Sequence, residues 1–309
     1  VIFFAGTGGS QEVELGAPAS VELRRDEGAP ADSLSAVFPL PEFLDEYLHL
    51  TARQGNSTVF DGLVDEQRIT ADAGGRLLRL ECRSRSALLL DNEALPQQYE
   101  RPSLPLLFGR HAAPYGFSRA IGDSSVFSGT YTVAKGMSEW AALSGFCEAF
   151  LGTTPRITST GTLDATGTAP DGVLIFSQNG GIPCYSLEEA FLPCELLSEV
   201  WTRAETTGGY DLRAADEKAM ARGILRRRYC GASADRPAAL GEAMLRNARG
   251  RSYRLTLSCP GWVDAQIGQA ARVQEPLLSN TGEMQVCALR YREGPRGRNT
   301  QITLRKKEA

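Results

Sequence analysis

Between Thr58 and Arg83 apolar and polar residues alternate with period two on both sides of an Ala73-Gly74-Gly75 turn, and this stretch restricts the chain more than any other. Alternation puts successive side chains on opposite faces of an extended strand, so the stretch predicts two antiparallel strands joined as a hairpin or meander. One face then meets a core and the other meets solvent. Val13 to Leu23 alternates in the same way and predicts another strand of that half-buried sheet. Asp32 to Phe38 reads as either a further strand or a short helix, interrupted by Pro39 and Pro41.

The texture changes at Ser84. Ser86 to Asp91 is a short apolar element leaving the sheet, and Pro96, Pro102, Pro105 and Pro114 mark a long irregular connection. Gly129 to Val133 predicts a strand, and Ser138 is a good N-cap for a helix through Trp140, Leu143, Cys147 and Phe150, with Gly152 as its C-cap. Short strands follow around Ile157, Leu163 and Val173 to Phe176. Ala214 to Cys230 is rich in Ala, Arg, Lys and Glu and predicts a helix, and Pro237 to Ala248 predicts a second. Strands return at Tyr253 to Leu257, Ala271 to Val273, Gly282 to Leu289 and Gln301 to Leu304. The opening Val1 to Gly6 fits a first strand better than a secretion signal, because it lacks a basic flank and a full apolar region.

With 309 residues, 42% of them hydrophobic, the chain has apolar material for two or three domains. No apolar run approaches the roughly 18 residues needed to span a bilayer as a helix. A net charge of −4 argues against a dedicated nucleic-acid binder. Positive charge is local, in Arg226-Arg227-Arg228 and in the tail from Arg290 to Lys307; each reads as a solvated face or as a surface for an anionic partner. Seven scattered cysteines without a C-x-x-C pair read as reduced, mostly buried thiols made in a cytoplasm.

Catalytic constellations are missing from the sequence. His49 and His111 stand alone, with no metal-ligand spacing partner. There is no G-x-S-x-G elbow or Walker-type Lys, and Gly6-Thr7-Gly8-Gly9-Ser10 reads as a flexible turn. We therefore expect no catalytic residue, no metal and no cofactor. The one open catalytic option is a pair of carboxylates for glycoside hydrolysis, Asp164 with Asp171 or Glu188 with Glu189. Among 37 acidic residues such pairs also arise by chance.

The order of several short motifs resembles the baseplate hub proteins of contractile-tailed phages and phage-tail-like particles, contractile injection systems included. Phe60-Asp61-Gly62-Leu63-Val64 is followed by a Gly-Gly turn, by Cys82-Arg83-Ser84-Arg85-Ser86, by an apolar step to Asp91 and by a Pro-containing linker through Tyr99 and His111 to Phe117. Then come Val133 to Trp140, similar to a V-x-x-G-x-S-x-W element, Tyr253 to Leu257, Pro260-Gly261-Trp262 and Asn299 to Leu304. Residues 129–158 are also similar to LysM modules, small α/β units that bind glycans or simply pack.

The resemblance implies a mainly β chain with an inserted α/β part. Its divisions would be a first barrel-like hub half at 1–97, an insertion at 98–213 carrying the LysM-like segment, and helices with a second barrel-like half at 214–309. It further implies a homotrimeric ring in the tail baseplate that adapts a six-fold tail tube to a three-fold spike. Expected partners are the spike, the tail tube and its initiator proteins, sheath-side baseplate proteins and the end of the tape-measure protein. Candidate interface residues are Trp201, Trp262, Arg292, Arg296, Arg298, Arg305, Lys306 and Lys307. For the two tryptophans core packing is an equal reading, and for the basic residues a solvated tail. The competing function is a peptidoglycan-binding or peptidoglycan-hydrolysing tail protein; a third is a monomeric adaptor or chaperone.

Overall fold

The computed structural model describes residues 1–7, 12–41, 45–73, 75–203, 208–230, 237–274 and 282–307, with backbone alone at 237–239. The turn expected at Gly8 to Ser10, and Gly74 of the hairpin turn, lie outside these residues. The opening region forms β1 (Ile2–Gly6), β2 (Glu12–Glu14), β3 (Ser20–Asp26), β4 (Ser33–Pro39), β5 (His49–Gln54), β6 (Ser57–Asp72) and β7 (Gly75–Ser84). The expected hairpin is β6–β7, paired from Gly62 opposite Ser84 to Asp72 opposite Gly75 with one register shift between Val64 and Glu66. Asp32 to Phe38 resolves as strand β4, because its alternate residues Leu34, Ala36 and Phe38 are all buried. The single strand expected from Val13 to Leu23 is two strands, broken where Gly16 takes a left-handed φ of 73° ahead of Pro18.

After α1 (Ala87–Asp91) come β8 (Gln97–Glu100), α2 (Leu104–His111), β9 (Arg119–Ile121), β10 (Thr130–Val133), α3 (Glu139–Phe146), β11 (Arg156–Ile157) and β12 (Thr162–Asp164). Ser138 caps α3 by accepting from the Ala141 N–H at 3.1 Å. The helix continues as one π-helical turn, Cys147–Leu151, and ends at Gly152 with φ 67°. Beneath these elements lies an apolar cluster of Leu89, Leu107, Leu143, Phe146 and Leu163. The LysM-like segment is not a closed unit, since β10 pairs with β8 and β11 with β12, both partly or wholly outside 129–158.

The chain rejoins the large sheet at β13 (Val173–Phe176) and β14 (Ser186–Phe191). It then builds β15 (Glu199–Thr202), β16 (Leu212–Ala215), α4 (Glu217–Ala221), β17 (Arg227–Cys230) and α5 (Pro237–Arg251). The helix expected over Ala214 to Cys230 is thus confined to the one turn of α4, between the end of β16 and β17. Gly223, with φ 80°, stops α4 after one turn, and β16 and β17 find their hydrogen bonds on either side of β15. α5 covers that small sheet through Leu245 and Ala248, which pack on Val200 and Ala214. It runs three residues past the expected end.

The chain closes with β18 (Tyr253–Pro260), β19 (Ala270–Val273), β20 (Met284–Gly294) and β21 (Gly297–Lys306). All strands outside the small sheets belong to one 13-stranded sheet, with a main path β14-β18-β21-β20-β3-β4-β7-β6-β5-β1-β2 and β13-β19 attached beside β20. The expectation of two barrel-like halves is corrected here: the described pairings close no barrel. β20 spends one edge on β21 and the other on β3, from Ala288 opposite Asp26 to Glu293 opposite Val21. The strands of the first half therefore extend the sheet of the second. Tyr253, Leu255 and Leu257 on β18, Ile302 and Leu304 on β21 and Leu78 and Leu80 on β7 alternate onto a single shared core.

Candidate assembly surfaces

The alternation that builds the core leaves the opposite face of the same strands polar. Where the two halves meet, Glu22 on β3 faces Arg292 on β20, and Arg24 faces Arg290. Glu22 accepts from Arg292 at 2.7 Å, pairs with Arg290 at 2.8 Å and also holds Arg24. Partial burial on its own pushes the Glu22 carboxyl up, but hydrogen bonds from the three guanidinium groups outweigh it and bring the group down to about 2. The Nε of Arg290 is buried and finds no hydrogen-bond partner among the described residues.

The basic residues expected at an interface are largely paired within the chain. Arg292 is held by Glu22, Arg298 by Glu293 at 2.8 Å, Arg305 by Glu27 at 2.8 Å and Lys307 by Glu283 at 3.4 Å. Lys306 lies over the Tyr253 ring, 4.4 Å from its centroid. Arg296, in the β20–β21 turn, has no carboxylate at ion-pair distance among the described residues.

The two tryptophans differ. Trp201 is half-buried on β15, its Nε1 donating to Glu199 at 3.4 Å. Trp262 is 45% exposed and stacks on the buried Tyr291 at 3.9 Å between centroids. It walls a recess whose floor includes Phe3, Leu23, Leu34 and Val59, an apolar opening at the end of the large core. Tyr291 gave no sequence signal, because its role depends on the turn at Pro260-Gly261 laying Trp262 over β20. A further surface is the outer edge of β14, which among the described residues pairs with β18 on one side and with no strand on the other. An open edge presents unpaired backbone groups and invites another strand.

The candidate carboxylates do not form facing pairs. Asp164 is buried, accepts from Arg156 at 2.6 Å and from the Thr166 hydroxyl at 2.7 Å, and is held below the usual carboxylate range; burial opposes this and the hydrogen bonds prevail. Asp171 is exposed on a separate loop and shares no partner with it. Glu188 and Glu189 are neighbours on β14, so they point to opposite faces, and Glu189 accepts from the Tyr253 hydroxyl at 2.7 Å.

His111 stands alone in the sequence but not in the fold. It is 1% exposed and bridges the Tyr99 hydroxyl (2.9 Å from Nε2) and Glu139 (2.5 Å from Nδ1), while the Tyr115 hydroxyl donates to the same Glu139 at 2.9 Å. The group is sealed among α2, α3 and β8. Among the described residues no three His, Cys, Asp or Glu side chains are grouped to hold a metal, and no helix is long and apolar enough to cross a membrane.

No protein-family model matches the sequence, and no curated protein matches it significantly. Solved structures do. A tail protein from Neisseria meningitidis superposes with a TM-score of 0.78 at 17% identity, over 99% of this chain and 96% of that one. The 43 kDa tail protein of prophage MuSo2 from Shewanella oneidensis gives 0.79 at 16% identity, over 98% and 97%. An Escherichia coli component of the type VI secretion system, described as structurally similar to the phage T4 tail proteins gp27 and gp5, gives 0.60 at 8% identity, over 93% and 73%. The chain therefore has the fold of phage tail proteins and of this secretion-system component. The resemblance carried by the order of its motifs is met at the level of fold.

Proposed function

We propose that this chain is a structural hub of a phage tail or contractile injection particle, forming a homotrimeric ring that adapts a six-fold tube to a three-fold spike. The observation that carries the reading is the superposition on tail proteins across nearly the whole of both chains. The open edge of β14 and the exposed Trp262 suit contacts between neighbouring copies. In such a ring the spike docks on one side and the tail tube, its initiator proteins and the tape-measure end on the other, with sheath-side proteins around it. The role is mechanical, and the chain does no chemistry.

Light scattering on the purified chain, alone and mixed with a cognate spike, tests this. A species of three times the 33.4 kDa subunit mass is expected, and Trp262→Ala is expected to shift it towards monomer. A chain that stays at subunit mass with the spike present refutes the ring. Clearing of peptidoglycan in a zymogram by the wild type, abolished by Asp164→Asn, would favour a wall-degrading protein instead.

A further inference from the structure

Where β4, β3, β20 and β21 lie side by side, four polar side chains form one row on the face of the sheet opposite the core. Ser33 is directly opposite Arg24, Arg24 opposite Arg290, and Arg290 opposite Gln301. Residues paired in this way share a face, and like charges directly opposite each other repel. Glu22 answers both guanidinium groups from the next row, but it holds Arg292 as well. Three arginines therefore share one carboxylate.

The row is also short of hydrogen-bond acceptors. The buried Arg290 Nε has none among the described residues, and the side chains of Ser33 and Gln301 make no hydrogen bond there either. A buried donor without a partner is uncommon and calls for a cause. Beside the row opens a recess of about 300 Å³, with Arg24, Arg290, Ser33 and Gln301 in its lining and the small side chains of Ala31 and Ala288 as walls. Arg25 also borders it, but is already held by Asp32 at 2.9 Å and by the Val59 carbonyl at 3.0 Å. The carboxylate in the lining is Asp26, whose Oδ1 accepts the Gly28 N–H at 2.8 Å and whose Oδ2 has no partner among the described residues.

We propose that this recess binds a phosphate group that still carries a proton, as free phosphate or as the end of a small ester. Two adjacent guanidinium groups match the several oxygens of a tetrahedral anion with charge-assisted hydrogen bonds, whereas the two oxygens of a carboxylate fill only one fork. A bound oxygen supplies the acceptor that the Arg290 Nε lacks once the guanidinium turns towards the recess. Asp26 sets the selectivity. Its free Oδ2 accepts the P–OH of a protonated phosphate, while sulfate and the phosphodiester backbone of a nucleic acid carry no such proton and meet the carboxylate as like charges. The positive charge that Glu22 leaves uncompensated is thereby neutralised at the joint between the first and last strands. Every residue of the site belongs to one chain, so the site does not rest on the ring.

The test is calorimetric titration of the full chain at about pH 5.5, below the second phosphate pKa of about 6, and at constant ionic strength. Inorganic phosphate and glycerol phosphate are each expected to saturate the site with a Kd of about 1 mM or tighter, the tighter of the two naming the source, and sulfate to bind about tenfold or more weakly. Arg24→Gln, at a side chain 57% exposed and so outside the core, and Gln301→Glu are each expected to weaken phosphate about tenfold or more. Asp26→Asn is expected to bring sulfate and phosphate within about twofold of each other, with circular dichroism confirming that each variant folds. The inference is overturned by no saturation up to about 10 mM, by sulfate matching phosphate on the wild type, by undiminished binding to Arg24→Gln, by unchanged selectivity in Asp26→Asn, or by a single-stranded oligonucleotide displacing phosphate.

Discussion

Replacing Glu22 by Gln tests the joint between the first and last thirds of the chain. In the native protein the carboxylate sits among Arg24, Arg290 and Arg292, and its side chain is 21% exposed. The drop from 4.5 to about 2 spans roughly 2.5 pH units, which at about 1.4 kcal/mol per unit corresponds to about 3 kcal/mol of stability, or about 2 kcal/mol after screening at the exposed fifth of the side chain. Because the folded group binds its proton more weakly than the unfolded one, the stabilisation is complete above about pH 5 and is lost as pH falls from there towards 2. Urea unfolding of the wild type and Glu22→Gln at pH 7 and pH 3 measures it. The difference is expected to be about 2 kcal/mol at pH 7 and less than half of that at pH 3. A difference that does not change with pH, or a variant as stable as the wild type at pH 7, refutes the assignment of this carboxylate as the electrostatic clasp between β3 and β20.

Three further outcomes are expected. Gly62→Ala puts a Cβ 2.2 Å from the Arg83 carbonyl oxygen and 2.7 Å from the Phe60 ring, so the β6–β7 hairpin must shift; a loss of about 3 kcal/mol in thermal or urea unfolding is expected. His111→Ala strands Glu139 in a buried site with one partner fewer, and a loss of about 3 kcal/mol is expected, together with faster hydrogen exchange in α2 and α3. Phe146→Ala removes a fully buried ring stacked on Phe150 at 5.3 Å, and a loss of about 4 kcal/mol is expected by the same assay.

Sequence reading succeeded where structure is local. The β6–β7 hairpin, the Ser138 cap, the Gly152 stop and the closing strands each follow from spacing over a dozen residues, and each is present. It failed where a partner far along the chain decides. Arg227 to Cys230 has the composition of a helix, yet β15 offers it a ladder of backbone hydrogen bonds and a helix would leave that edge open. Glu22 and Arg292 are 270 residues apart, and nothing in either neighbourhood announces the other. Likewise His111 looked solitary because Glu139 and Tyr99 come to it from different elements. Trp262 was open between anchor and core, and its stack on Tyr291 depends on a strand about 30 residues further along the chain.

The connectivity explains how one sheet tolerates two large insertions. The second insertion leaves from the end of β14 and returns at the start of β18, where Phe191 lies directly opposite Tyr253. Its entry and exit are thus adjacent strand ends, and the loop between them can hold a small sheet and a 15-residue helix without parting any strands of the core. The first insertion leaves from β7, in the body of the sheet, and returns at β13, which among the described residues pairs in the sheet with β19 alone. Each insertion has its own apolar cluster, while the sheet keeps a third. The β3–β20 seam with its Glu22 clasp joins the two halves of the sheet, and the first insertion also meets the sheet region away from its ends, where Arg156 donates to the Ile267 carbonyl at 3.3 Å.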